Sequence, residues 1–313
     1  MQRFKSILLL RGHAEARERA AALAKENRAR LTAMDVVEHV RFEGRTLSDG
    51  SSYSPKKAEQ LALRQHREQL QEYIAPIREE GLRVNTKVVA GKAFLEIIRE
   101  VVRNEHDLVI MTAEGKSGLR GLLFGSTSLH LIRKCPCPVW VIKPVRRKRF
   151  ARILAAVDPD TLDNTIAMLN REILDIATSL AVRENAKLDI VSVWSLPFES
   201  FLHSDSRTSK KRLQQLLREE RAASGQRINS VLELYPLENI QHEVYLVKGD
   251  PKKVIPELIQ KTQPEVIVMG TVTRTGVPGI LIGNTAETIL QRVDCSVLTV
   301  KPVGFVTPVS VAE

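Results

Sequence analysis

Short continuous apolar runs alternate along the chain with longer stretches whose apolar residues recur every three or four positions. In the second half the runs fall at 152–157, 188–193, 243–247, 265–269 and 296–300. Runs of this length and character predict parallel strands buried on both faces. Between them, residues 161–184, 208–234, 251–263 and 285–292 space Ile, Leu, Val and Ala with the period of an amphipathic helix. Asp250 before Pro251 supplies an N-cap and a first-turn proline. The first half gives the same order, with strands predicted at 4–10, 31–37, 83–89, 108–112 and 139–143 and helices at 14–27, 55–80, 94–104 and 127–133. Strands alternating with helices imply right-handed crossovers. The fold class expected is therefore α/β, with two tandem doubly wound, Rossmann-like domains, each built on a five-stranded parallel sheet.

The halves are copies of one another. Residues 107–145 align without a gap with residues 265–303, and Met111 with Met269, Gly125 with Gly283, Thr127 with Thr285 and Cys137 with Cys295 coincide. Domains are expected at 1–146 and 150–305. Aligning Ile7 with Ile153 and Leu31 with Leu188 leaves the second half 11 residues longer between its first two strands. That length corresponds to about three helical turns. It predicts a longer first helix around residues 168–177, either covering the other domain or a partner or forming a private extension.

Composition narrows the function classes. Halves of about 150 residues bury roughly 70% of their unfolded surface, so neither needs disulfides or metal to fold. No apolar run approaches 18 residues and the N-terminus lacks a secretory pattern, so a soluble cytoplasmic protein is expected. Cys135 and Cys137 are too close in sequence for an ordinary disulfide or a metal knuckle. Cys137 and Cys295 read as small buried apolar residues. The net charge of +10 raises nucleic acid as a partner, but many basic residues have simpler explanations. Residues 146–149 lie between the repeats, and Lys210, Lys211, Arg212, Arg218 and Arg221 sit on a helix face expected to be solvated. With 4% aromatic residues there is little to stack bases on, which leaves salt-sensitive phosphate association as the weaker reading.

In open parallel sheets, ligands collect outside the carboxyl ends of the strands where strand order reverses. The segment after Met269 carries Gly270, Gly276, Gly279 and Gly283 and ends at a helix opened by Asn284 and Thr285. Glycines let backbone N–H groups approach an anion, and a helix start offers unpaired N–H groups, so a phosphate chain suits the pattern. An ordinary glycine-bearing loop with Asn284 as N-cap is the alternative. The same spacing recurs at Gly118, Gly121 and Gly125, followed by Ser126 and Thr127.

With two such loops the chain resembles universal stress proteins, and its tandem form resembles the two-domain branch called universal stress protein E. The resemblance spans essentially the whole chain and implies a fold like that of the adenine nucleotide alpha hydrolases. Nucleotide-binding members place glycine, two residues, glycine, nine residues, glycine and then serine or threonine after the fourth strand. Here Gly270 and Gly283 fit, while Thr273 and Asn284 depart from the pattern; in the first half Gly115, Gly125 and Ser126 fit and Thr112 departs. Binders also carry an aspartate at the end of the first strand, matched by Asp158, and an apolar residue against adenine, matched by Val193. The aligned position in the first half is Gly12, beside Arg11, with no acid. The resemblance thus implies a working second site of Asp158, Val193, Met269, Gly270, Thr271, Thr273, Gly283, Asn284 and Thr285. It implies a degraded first site of Gly115, Gly125, Ser126 and Thr127. For Asp158, a turn or N-cap role before the next helix is the competing reading.

No catalytic constellation stands out. The seven histidines form no His-x-x-x-His pair and read as scattered surface residues, and there is no Gly-x-Ser-x-Gly elbow. The expectation is a non-enzymatic protein that resists stress, including DNA damage, by binding and regulation. Its partners are expected to be ATP or another adenine nucleotide, with Mg²⁺ carried by the triphosphate, and regulatory proteins. The resemblance also implies that the two domains pair through their last strands. The rival is a scaffold or carrier with relic loops that holds an apolar ligand or a partner protein.

Overall fold

The structure is a computed structural model that describes residues 3–38, 55–113, 124–143, 149–159, 163–204, 209–271 and 283–310. It divides into two units, Met1–Pro144 with Val306–Glu313 and Val145–Phe305. The first contains β1 Ser6–Leu10, α1 Ala14–Asn27, β2 Arg30–Val37, α2 Pro55–Glu79, β3 Val84–Ala90, α3 Ala93–Arg103, β4 Leu108–Thr112, α4 Ser126–Lys134 and β5 Val139–Ile142. The second contains β6 Arg152–Ala156, α5 Asn164–Glu184, β7 Lys187–Trp194, α6 Glu199–Ser204, α7 Lys210–Leu232, β8 His242–Lys248, α8 Pro251–Thr262, β9 Val266–Gly270, α9 Asn284–Leu290 and β10 Ser296–Val300.

Strand order is β3-β2-β1-β4-β5 in the first unit and β8-β7-β6-β9-β10 in the second. The pairings within each are parallel. Strand order therefore reverses between β1 and β4, and again between β6 and β9. The central strands are apolar and buried as their runs predict, with β1, β5 and β10 buried throughout. The edge strand β8 departs from that expectation: most of its residues are half-exposed or exposed, because only one neighbour and one helical layer cover it. The basic residues Lys210, Lys211, Arg212, Arg218 and Arg221 are exposed along α7, the solvated face expected. The helix α6 was not anticipated, since its six residues are too few to show a helical period.

The longer first helix of the second unit is real but shorter than predicted. It has 21 residues against 14 in α1, so the remaining difference lies in the preceding connection. Its Ile166, Leu169, Ile173, Ala177 and Leu180 are buried, and it packs on β6, β7 and β9 of its own unit. The N-cap is Asp163, whose side chain accepts from Thr165 N at 2.8 Å. Asp158 is therefore not the cap of this helix.

Two devices recur at equivalent places and set how the strands dock. At the amino ends of the sheets, Asp107 accepts from Lys5 N at 2.6 Å and Ser6 N at 3.0 Å. Glu265 likewise accepts from Ala151 N at 3.2 Å and Arg152 N at 2.9 Å. At the carboxyl ends, Gly91 and Gly249 have φ of 152° and 149°, a region that disfavours side chains. Their N–H groups donate to Val37 O and Trp194 O, both at 3.0 Å. A β-carbon at either glycine would stand 2.8 Å from the following helix, at Glu96 Cγ or Val254 Cγ2.

One histidine is not on the surface. His106 is 4% exposed, with Nδ1 2.9 Å from Ser6 Oγ and Nε2 3.5 Å from Glu100 Oε1. Arg30 donates to Ser6 Oγ at 3.0 Å, while Asn104 Nδ2 donates to Glu100 at 2.9 Å and Lys87 pairs with its other oxygen. Serine, histidine and glutamate stand in the order of a hydrolase triad, but Ser6 is itself buried beneath Arg30 and serves the packing of β1. Cys135, Cys137 and Cys295 are buried free thiols, the small apolar role expected of Cys137 and Cys295, and the first two have sulfurs in contact at 3.6 Å.

Replacing Asp107 or Glu265 with alanine removes the acceptor of two backbone N–H groups at the start of a strand, one of them part-buried. Each change is expected to cost about 1–3 kcal/mol in urea unfolding.

Glu100 gives a pH test. Burial opposes its ionisation, but hydrogen bonds from His106 and Lys87 outweigh that and pull its pKa down to about 2. A depressed carboxyl contributes stability that is complete above its ordinary pKa and is lost as pH falls towards 2. The stability gap between the wild type and Glu100→Gln should therefore shrink by about 3 kcal/mol between pH 5 and pH 2, read by denaturation at each pH.

Candidate functional site

The second unit holds a cavity of about 510 Å³ at the carboxyl ends of β6, β7 and β9, where strand order reverses. Asp158, just beyond β6, lines it together with Val193 of β7 and Met269 and Gly270 of β9. Asn284 and Thr285, the first residues of α9, complete the set of predicted residues that line it. Sequence reasoning missed much of the wall, including Ile166, Leu169, Asn170 and Ile173 of α5, Ile255 of α8, and Ser195.

Geometry separates the predicted residues further. Asp158 is held by its backbone, because Asn170 Oδ1 accepts from its N–H at 2.9 Å and Asn170 Nδ2 donates to its carbonyl at 2.7 Å. Asn170 is 3% exposed, so this bidentate clamp fixes where the carboxylate leaves the chain. Thr271 is fully buried and does not line the cavity. Its hydroxyl accepts from Lys301 Nζ at 2.8 Å, and its carbonyl accepts from Gly283 N at 2.8 Å. Lys301 is buried over the Phe305 ring at 4.6 Å, as Lys143 of the first unit is over Phe124 at 5.1 Å. Gly283, not Asn284, is the N-cap of α9. Thr273 and the glycines at 276 and 279 lie outside the described residues.

The sequence profile of the universal stress protein family matches residues 12–143 and again 149–301. The chain belongs to the universal stress protein family. Universal stress protein E of Escherichia coli K12 is 31% identical over 245 residues, covering 74% of this chain and 73% of that protein. A universal stress protein E homolog of Haemophilus influenzae is 26% identical over 313 residues, covering 96% of this chain and 98% of its own. Among solved structures, a functionally unknown protein from Pseudomonas aeruginosa PAO1 superposes with a TM-score of 0.72 at 25% identity, covering 96% of this chain and 94% of that one.

In this tandem universal stress protein the first unit treats the equivalent position differently. A β-carbon at Gly12 would stand 2.3 Å from Thr112 Oγ1, so the threonine at the end of β4 occupies the space that an aspartate would need. The neighbouring Arg11 is paired with an acid of β2. Asp35 accepts from Arg11 Nε at 2.5 Å and lies 2.8 Å from His66 Nδ1. Gly125 is the N-cap of α4 and its carbonyl accepts from Ser128 Oγ at 2.8 Å, while Ser126 and Thr127 open the helix. Gly115 lies outside the described residues.

Gly270 has a different neighbour. A β-carbon there would stand 2.6 Å from Leu169 Cδ2, so what approaches this glycine closely is a leucine of the same unit.

These packings predict coupled substitutions. Gly12→Ala should cost about 1–3 kcal/mol by overpacking against Thr112, and most of that loss should vanish in a Thr112→Gly background. A double-mutant cycle of thermal or urea unfolding measures the coupling.

Proposed function

We propose that the second unit binds one adenine nucleotide and that the protein contributes to stress resistance through that binding and through regulatory partner proteins, without turnover. The observation that carries this reading is the cavity at the strand-order reversal, lined by both Asp158 and Val193. The residues present fit the nucleoside part of such a ligand. Asp158 would accept hydrogen bonds from its hydroxyl or amino groups, Val193 and Met269 would pack on the base, and Asn284 and Thr285 offer neutral polar contacts at the start of α9. Mg²⁺ would enter with a triphosphate, since no group of three or more potential ligands that could hold a metal lies among the described residues. A cytoplasmic location fits the described helices, none of which is long and apolar enough to cross a membrane.

A second reading is favoured by one specific observation. Most residues of the cavity wall are apolar, Ile, Leu and Val foremost, which suits a scaffold or carrier that holds an apolar ligand.

Isothermal titration with ATP and Mg²⁺ at physiological salt tests the first reading, and one nucleotide bound per chain is the expected result. Asp158→Ala should weaken binding by about ten- to a hundredfold, the loss of a charge-assisted hydrogen bond. Adding Gly283→Val should abolish it. Absence of heat and of thermal stabilisation, together with an apolar mass retained in native mass spectrometry, would instead support the carrier reading.

A further inference from the structure

Two lysines and a histidine converge on one phenyl ring of the first unit. Phe94, in the first turn of α3, is buried, and the His130 imidazole of α4 stacks on it with ring centroids 4.1 Å apart and planes inclined by 19°. Lys92 Nζ lies 5.0 Å from the Phe94 centroid and Lys134 Nζ lies 4.9 Å from it. The two ammonium groups are therefore within about 10 Å of each other, no more than one screening length at 0.1 M salt. Arg133 adds its charge to the same place, and burial together with Lys134, Arg133 and Lys92 pushes the His130 pKa down. Neither Lys92 nor Lys134 forms an ion pair with a described residue. The carboxylates near the start of α3 have other partners: Glu38 accepts from Ala93 N at 3.3 Å, and Glu96 pairs with Arg99 at 2.5 Å.

Cation–π attraction accounts for a lysine over a phenyl ring and is worth about 0.5–1 kcal/mol at an exposed site. It does not account for so much like charge in one place. Nor does the fold impose it, as the second unit shows. One residue after the equivalent glycines Gly91 and Gly249, α8 has Asp250 at its N-cap, accepting from Lys252 N, whereas α3 has Lys92, whose side chain makes no capping bond. A cation there opposes the positive end of the helix dipole and forgoes a cap. The positions aligned with His130 and Arg133 are the uncharged Thr288 and Gln291. The first unit thus gives up helix stability to gather positive charge, the trade expected of a functional surface.

We propose that Lys92 and Lys134 bind a phosphate group on the first unit, beside His130 and with Arg133 strengthening the local field. Two ammonium groups on flexible stems can each donate charge-assisted hydrogen bonds to its oxygens. The bound anion offsets the cations around His130, so the imidazole reports on occupancy. This site is independent of the nucleotide reading of the second unit.

The test is an NMR titration of the isotope-labelled full chain with sodium phosphate, followed at the His130 ring resonance, against sodium chloride at matched ionic strength. Phosphate is expected to shift that resonance saturably, with a midpoint on the order of 1 mM, and chloride is not. His130 is also expected to titrate at a higher pH in phosphate than in chloride. Lys92→Asp and Lys134→Gln should each weaken phosphate binding by about tenfold. Lys92→Asp installs the cap that the second unit already uses, so its folding is not at risk. Phenyl phosphate separates the sources: affinity equal to that of inorganic phosphate assigns free phosphate, and affinity at least about tenfold higher assigns the phosphate of a larger molecule. An equal response to chloride, no saturable response, or midpoints unchanged in both variants would overturn the site and leave the lysines as cation–π packing.

Discussion

Everything distinctive about the two halves turns on a gap one side chain wide. Adjacent parallel strands lie about 4.8 Å apart, so where the first and fourth strands of each unit end side by side there is room for one group projecting from the pair. In the first unit that group is Thr112, against which a β-carbon at Gly12 would be overpacked. In the second unit neither strand fills the gap. Gly270 leaves it open, Leu169 enters from α5, and Asp158 lines the cavity beside them. One fold thus carries two opposite solutions of a single packing problem.

Much of the fold was legible because each element carries a local signal of its own. The apolar runs of β4 and β10 have the predicted boundaries, and α1 spans the predicted residues. Asp250 caps α8 as its pairing with Pro251 implied, accepting from Lys252 N at 3.0 Å. What escaped were features defined by tertiary neighbours. The sequence distance that separates the first two strands of each half fixes only a total, and its division between helix and connection depends on where Asp163 caps α5. Similarly, Asp158 and Asp163 are both aspartates shortly before a helix, and only the chain path decides which one caps it. The edge position of β8 and the burial of His106 also follow from topology, not from local composition.

The candidate site shows the same division. Asp158, Val193, Met269, Gly270, Asn284 and Thr285 all face the cavity, since the repeat and the family resemblance both mark strand ends. Thr271 belongs to the same segment but is turned inward onto Lys301, a difference no spacing rule reveals. Leu169 and Asn170 could not be read as site residues, because at helical spacing a leucine and an asparagine look like core and surface. The one available signal is the extra length of the first connection, which around residues 168–177 leaves open a covering role or a private extension; α5 packs on the sheet of its own unit.

The contacts around Thr271 have a mechanical consequence. Its carbonyl receives the Gly283 N–H, its hydroxyl receives Lys301, and so both ends of the intervening segment are tied to the sheet by groups outside it. A bond between the end of β9 and the cap of α9 thus makes strand and helix start a single mechanical unit, so any shift of β9 carries the beginning of α9 with it.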